Sequence, residues 1–298
     1  MPLLFTCPHC QTQTQVEDRY SGQSGQCAVC GKPIQIPQFR SGTAPQSKPR
    51  SNPLAWGIAA AVALVLAGCL IYSVLQFGSS TITRLSNNSI QTKSSSNVRK
   101  IAAALNAYAQ KHGTYPPPVL MDKANKKPLL SWRVLILKEL GHEELYERFD
   151  LTKSWDDPVN MQLTYEMPDV YRHPNTQVYG NEANYFLVTG VGTLFPPSGP
   201  MDPANITDKP DQTILVIEGQ PSPIGFTWTE PLDLNFGMMT GQINGTSNDD
   251  PGKLIESGAV MATVDERSHF LPNSTSVTTV NALLTPAGGE PLADDTLD

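Results

Sequence analysis

The chain has 298 residues and sets 21 Lys and Arg against 28 Asp and Glu, a formal net charge of −7. That length leaves room for two or three domains. The charge is uneven: residues 1–53 carry five basic and two acidic side chains (+3), Arg84 and Lys93 add +2, and residues from 94 onward carry 14 basic and 26 acidic ones (−12), a balance that argues against nucleic-acid phosphate as a partner of the distal part.

Four of the five cysteines form two pairs near the start, CPHC at Cys7 and Cys10 and CAVC at Cys27 and Cys30. Two residues between cysteines let both sulfurs of a knuckle face one tetrahedral ion, so the pattern predicts a zinc ribbon over residues 1–37 with one structural Zn and no open coordination position. Gly31 sits where a tight turn needs positive φ. Strand-like runs flank the knuckles at residues 3–5 and 33–36. A redox CxxC belongs at a helix start in a full α/β domain, which about 40 residues cannot build. His9 reads as an exposed bystander, because four thiolates already fill the site. A piece this small has little core, so the metal supplies most of its folding free energy.

Residues 38–53 are rich in Pro, Ser and basic residues and read as a flexible linker. Residues 54–77, LAWGIAAAVALVLAGCLIYSVLQF, hold no charged side chain. At about 1.5 Å per residue such a helix crosses a hydrocarbon core of roughly 30 Å, so a single transmembrane helix in contact with lipid is expected. Arg40, Lys48 and Arg50 precede it and Arg84 and Lys93 follow it. With the thiols best kept in a reducing compartment, the expectation is a cytosolic N-terminus and an extracytoplasmic C-terminal domain at the cytoplasmic membrane. The distal domain has no cysteine, and therefore no disulfide.

Residues 78–93 are polar and read as a linker or weak helix. Ser94, Ser95 and Ser96 offer N-caps to a helix over residues 97–112, where Val98, Ile101, Ala102, Leu105 and Ala109 form one apolar face. Gly113 suits the position after its end, and Pro116, Pro117 and Pro118 forbid continuation. Shorter helices are expected at 133–140 and 143–149, and strands at 184–190, 213–218 and 259–264. Helices first and strands later predict an α+β fold with a sheet packed on one main helix.

Those segments carry a family resemblance. NVRKIAAALNAYAQKHGTYPP (97–117), KPLLSWRVLIL (127–137), LYERFDLTKSWDDPVN (145–160), MPDVYRHP (167–174), TILVIEG (213–219), WTEPLDL (228–234) and LLTPAGGE (283–290) resemble, in order, the domain-of-unknown-function 1559 family. The resemblance implies a pseudopilin-like or type IV pilin-like domain over residues 94–298, a helix packed on an antiparallel sheet. Family members begin with a Gly-Phe-Thr-Leu-Ile-Glu prepilin signal, which residues 54–77 lack. They also end on His, nine residues, then Asp-Gly. Here Ile255 stands in place of the His and Glu266 in place of the Gly, after Asp265, and His173 stands where relatives carry Cys. The resemblance thus implies the fold more firmly than a place in a pilus.

No catalytic motif stands out. His112, His142, His173 and His269 show no HxxxH or HExxH spacing, and no Gly-x-Ser-x-Gly elbow or Walker loop is present. The pairs Asp156-Asp157 and Asp249-Asp250 read as solvated turns, and Glu218 and Asp265 as satisfied residues at strand ends. The expectation is a non-enzymatic membrane protein acting through an unknown protein partner or envelope contacts. Trp132, Trp155 and Trp228 read first as core or loop-anchoring side chains; one alternative is a small-ligand or glycan-binding module that uses them, which requires a concave, aromatic-lined pocket. The other is a hydrolase, which requires at least two of Glu218, Asp265, His173 and His269 to converge.

Overall fold

The computed structural model describes residues 3–39, 72, 79–176, 180–220, 226–293 and 296–297. The chain divides into two compact units, Met1–Ser73 and Val74–Asp298. Of the expected span at 54–77 only Tyr72 is described, so that expectation and nearly all of the linker at 38–53 lie outside the described residues. Among the described residues no helix is long and apolar enough to cross a membrane.

The first unit consists of two antiparallel hairpins. Strand β1 (Leu3–Thr6) pairs with β2 (Gln13–Val16), and β3 (Ser24–Gln26) pairs with β4 (Pro33–Gln35). A cysteine knuckle forms each turn. Strands β1 and β4 fall on the apolar runs seen in the sequence. Strands β2 and β3 carry Gln, Thr, Ser and Gly, whose pattern is silent, and the backbone pairing alone makes them strands.

The second unit is α+β. Its main helix, α1 (Ser79–His112), lies on a four-stranded antiparallel sheet. The sheet runs in the order β12 (Ser268–Pro272), β11 (Gly258–Thr263), β9 (Ile214–Glu218), β7 (Tyr185–Phe186). Val98, Ile101, Ala102, Leu105 and Ala109 are all buried, as the helical periodicity requires. Gly113 ends the helix at φ 81°, its N–H bonded to the Ala109 carbonyl at 2.8 Å.

The start of α1 differs from expectation. Of the two readings of residues 79–93, linker or weak helix, the helix holds, so Ser94 does not cap a helix. It lies one turn before Val98 on the same face, fully buried, and its hydroxyl is used by the sheet below. Helix propensity in this polar stretch is weak, and tertiary contact decides it.

Around this layer the chain adds a hairpin of β5 (Val119–Asp122) and β6 (Lys127–Ser131) and a short parallel pair of β8 (Val188–Thr189) and β10 (Leu234–Asn235). The helices α2 (Trp132–Leu135), α3 (Glu143–Arg148), α4 (Pro158–Met161) and α5 (Val277–Leu284) complete it. Helix α2 stops four residues in, well short of the expected 140. The expected strand at 184–190 is split at Leu187, whose N–H leaves the ladder for the Asp233 carboxylate at 3.0 Å.

Candidate functional site: a four-thiol cluster and two buried polar networks

In the first unit the sulfurs of Cys7, Cys10, Cys27 and Cys30 all lie within 4.8 Å of one another. Cys7 Sγ is 3.9 Å from Cys30 Sγ, and Cys10 Sγ is 3.8 Å from Cys27 Sγ. Four sulfurs placed about 2.3 Å from a central zinc in a tetrahedron stand about 3.8 Å apart, so the cluster has the dimensions of a zinc tetrathiolate. The residues therefore fit the metal they were expected to hold.

The two knuckles repeat one geometry. Cys7 N–H donates to the Thr12 carbonyl (3.0 Å) and Gln11 N–H to the Cys7 carbonyl (2.9 Å). Cys27 N–H donates to the Lys32 carbonyl (2.9 Å) and Gly31 N–H to the Cys27 carbonyl (2.9 Å). Both turns need a left-handed residue: Gly31 supplies it at φ 67° and Gln11, less comfortably, at φ 56°. Hydrogen bonds from the side chain and backbone of Thr12 pull the Cys10 thiol down to about 6, and backbone hydrogen bonds from Cys30 and Val29 also lower Cys27. Against a backbone hydrogen bond from Lys32, burial and the neighbouring thiols push Cys30 up to about 11, so two of the four thiols lean toward thiolate and a third away from it. His9 is exposed and outside the cluster, but it is more than a bystander. Its Nε2–H donates to the Pro33 carbonyl at 3.1 Å, joining the first knuckle to β4.

In the second unit, His173 and Glu218 converge. His173 Nε2 lies 3.0 Å from Glu218 Oε1, and both side chains are fully buried. Ser94 Oγ also bonds Glu218 Oε1 and sits 2.9 Å from the Tyr185 hydroxyl. Val260 N–H donates to Glu218 Oε2 at 2.8 Å. Asn175 N–H donates to His173 Nδ1 at 3.1 Å, which places the ring proton on Nε2, facing the carboxylate. Two of the four residues the hydrolase reading required are therefore together, but in the wrong order for acyl transfer. The carboxylate is the hub, the serine bonds the acid rather than the imidazole, and of the ring nitrogens only Nδ1 is hydrogen-bonded, Nε2 lying beside the carboxylate without hydrogen-bond geometry. Glu218 is a satisfied residue of an interior strand, and the network ties helix α1 to strands β7, β9 and β11.

The other candidates are apart. Asp265 pairs with Arg267, and His269 Nδ1 lies 2.8 Å from the Leu297 carbonyl. His112 stacks on Tyr108 with ring centroids 4.1 Å apart, and His142 precedes α3. Asp157 caps α4 and Asp249 accepts from Asn235 N–H, both as turn residues. Asp250 is not a solvated turn. It is fully buried and accepts from Thr240 N–H, Thr240 Oγ1 and Ser247 N–H at 2.7, 2.7 and 2.9 Å.

The tryptophans do not line a groove. Trp132 and Trp228 are fully buried, each packed on Tyr171, with ring centroids 6.2 and 5.8 Å away. Trp155 is half-buried against the same core. The core packing favoured for them is what the structure shows, and the alternative of an aromatic-lined pocket loses Trp132 and Trp228.

Sequence reading passed over the second network. Arg133 is fully buried between the rings of Trp132 and Phe186, 4.7 and 4.8 Å from their centroids. Its guanidinium donates to the Tyr185 carbonyl (2.8 Å), Ser131 Oγ (2.9 Å), the Leu232 carbonyl (3.2 Å) and Asp233 Oδ1 (3.3 Å). Trp132 Nε1–H reaches the same carboxylate oxygen at 2.9 Å. Burial pushes Asp233 up to about 6 against the opposing Arg133 charge, and burial likewise lowers Arg133. The signal was present as charged residues inside two apolar motifs, SWRVLIL and EPLDL.

The family model described as "Protein of unknown function (DUF1559)" matches residues 91–275. No curated protein and no solved structure matches the chain.

Proposed function

The chain belongs to the family of unknown function DUF1559, and on that premise we propose a non-enzymatic, single-pass membrane protein with a cytosolic zinc ribbon and an extracytoplasmic pseudopilin-like domain. The observation that carries the ribbon is the spacing of its four sulfurs, 3.8 and 3.9 Å across the two knuckles. Cys7, Cys10, Cys27 and Cys30 hold one Zn, which supplies structure and leaves no position for substrate. Residues 54–77 cross the cytoplasmic membrane, and the basic residues before them keep the ribbon inside. The outer domain works by contact with protein or envelope partners. Support for contact over catalysis comes from the His173–Glu218 pair, both of whose side chains are fully buried, with the carboxylate oxygens held by Ser94 and Val260.

The test uses the full chain with Ser274→Cys, a substitution in an exposed turn. In intact spheroplasts, a membrane-impermeant thiol reagent is expected to label this variant, while Cys7 and Cys27 stay protected until lysis. The purified chain is expected to carry about one zinc. Labelling at position 274 only after lysis would reverse the topology, and a metal-free chain with an ordered ribbon would remove the zinc.

A further inference from the structure

The distal domain has carboxylates to spare, and several of its described cations pair with them. Lys111 pairs with Glu139 (2.8 Å), Lys138 with Glu143 (3.2 Å), Lys153 with Asp157 (3.5 Å), Arg148 with Glu166 (2.5 Å) and Arg267 with Asp211 (3.1 Å). Among the described cations without a carboxylate partner, three line the same cavity. Lys93, Lys100 and Arg172 line one cavity of about 480 Å³ on the flank of α1. Among the described residues none of the three forms an ion pair, and the cavity's single acidic lining residue is Asp169. Lys93 and Lys100 are two helical turns apart and fall on the same face of a rigid helix.

The third cation is held in place. Arg172 Nη1 donates to the Gly180 carbonyl at 2.5 Å, and the Arg172 carbonyl accepts from Asn97 Nδ2 at 3.1 Å. Asn97 is fixed in turn by the Tyr185 hydroxyl at 3.2 Å, and His173 closes the floor. Part of the guanidinium fork is therefore occupied, and its remaining N–H groups have no partner among the described residues. A held planar donor and two ammonium groups lining one open cavity suit a tetrahedral oxyanion. The surrounding field is negative, so an uncompensated positive cavity marks a specific site rather than general attraction.

We propose that this cavity binds a ligand carrying a phosphate or sulfate group. The inference goes beyond the architecture proposed above and needs neither the zinc nor the membrane topology. The full chain in detergent is titrated with inorganic phosphate against chloride at matched ionic strength, read by calorimetry. Saturable binding of phosphate is expected, weakened at least about fivefold by Lys100→Gln and by Arg172→Gln. Lys127→Gln removes a cation from the β5–β6 hairpin and is expected to leave binding unchanged. Lys100 is exposed, so its variant keeps the fold, which an unchanged melting temperature in chloride checks. Micelles doped with phosphatidylglycerol identify the source: competition with phosphate assigns a lipid headgroup, and no competition assigns a soluble molecule. A heat signal equal in phosphate and chloride, or an equal loss with Lys127→Gln, would overturn the site.

Discussion

Between residues 4 and 39 the only buried side chains are those of Cys7 and Cys27, whereas the distal domain buries a continuous cluster from Val98 to Leu284. The two regions therefore reach a defined structure by different physics. The ribbon has hairpin hydrogen bonds and four thiols, and too little apolar burial to offset the entropy of ordering its chain. The distal domain has apolar area in abundance, and it spends part of its interior on two polar networks that orient helix and sheet. Removing one ion should therefore undo the first region, whereas no single contact should undo the second.

The largest expected effect tests that contrast directly. Chelation, or Cys7→Ser, is expected to abolish amide protection in residues 3–39 and leave the distal unfolding transition unchanged. Structural zinc contributes on the order of 10–16 kcal/mol in comparable small sites. Retained protection without metal would break the comparison. Next, Arg133→Met is expected to cost the distal domain about 3–5 kcal/mol by denaturant unfolding, because Asp233 would remain buried without its counter-charge. A loss under about 1 kcal/mol would make the pair incidental to the fold.

Ser94→Ala is a smaller cut into the same interior. It removes one donor from the Glu218 hub while Val260 N–H and His173 remain, so about 1–2 kcal/mol is expected from the shift in the unfolding midpoint. The smallest effect is expected at Glu266. This residue holds φ 67° in the β11–β12 turn, where the family pattern has Gly, and its Oε1 accepts from Asn106 Nδ2 at 3.0 Å. Glu266→Gly relieves the backbone and loses that bond, so the change should stay within about 1 kcal/mol. A larger loss would assign the turn to the Asn106 contact.

Much of the helix-on-sheet fold was legible because burial and periodicity coincide. The apolar face of α1 from Val98 to Ala109, its glycine end at Gly113 and the runs that became β9 and β11 follow directly from spacing. The beginning of α1 was illegible, since Ser94 is a good cap in isolation and becomes a helical residue only because Glu218 and Tyr185 lie beneath it. The tryptophans were read correctly as core side chains, and what the sequence left open was their partner, the Tyr171 ring between Trp132 and Trp228.

At the metal cluster, local spacing was enough. Two residues between thiols prescribe a knuckle whatever lies around it, and a tetrahedron of sulfurs needs only two of them. Sequence by itself therefore determined the clustering of four thiols, the helical face and the α+β class, all set by contacts a few residues apart or by chemistry with one geometric solution. Tertiary structure alone decided that Arg133 meets Asp233 across 100 residues, that His173 meets Glu218, and that Lys93, Lys100 and Arg172 share a cavity. Such pairings depend on which faces of distant segments are pressed together, and no local pattern encodes that.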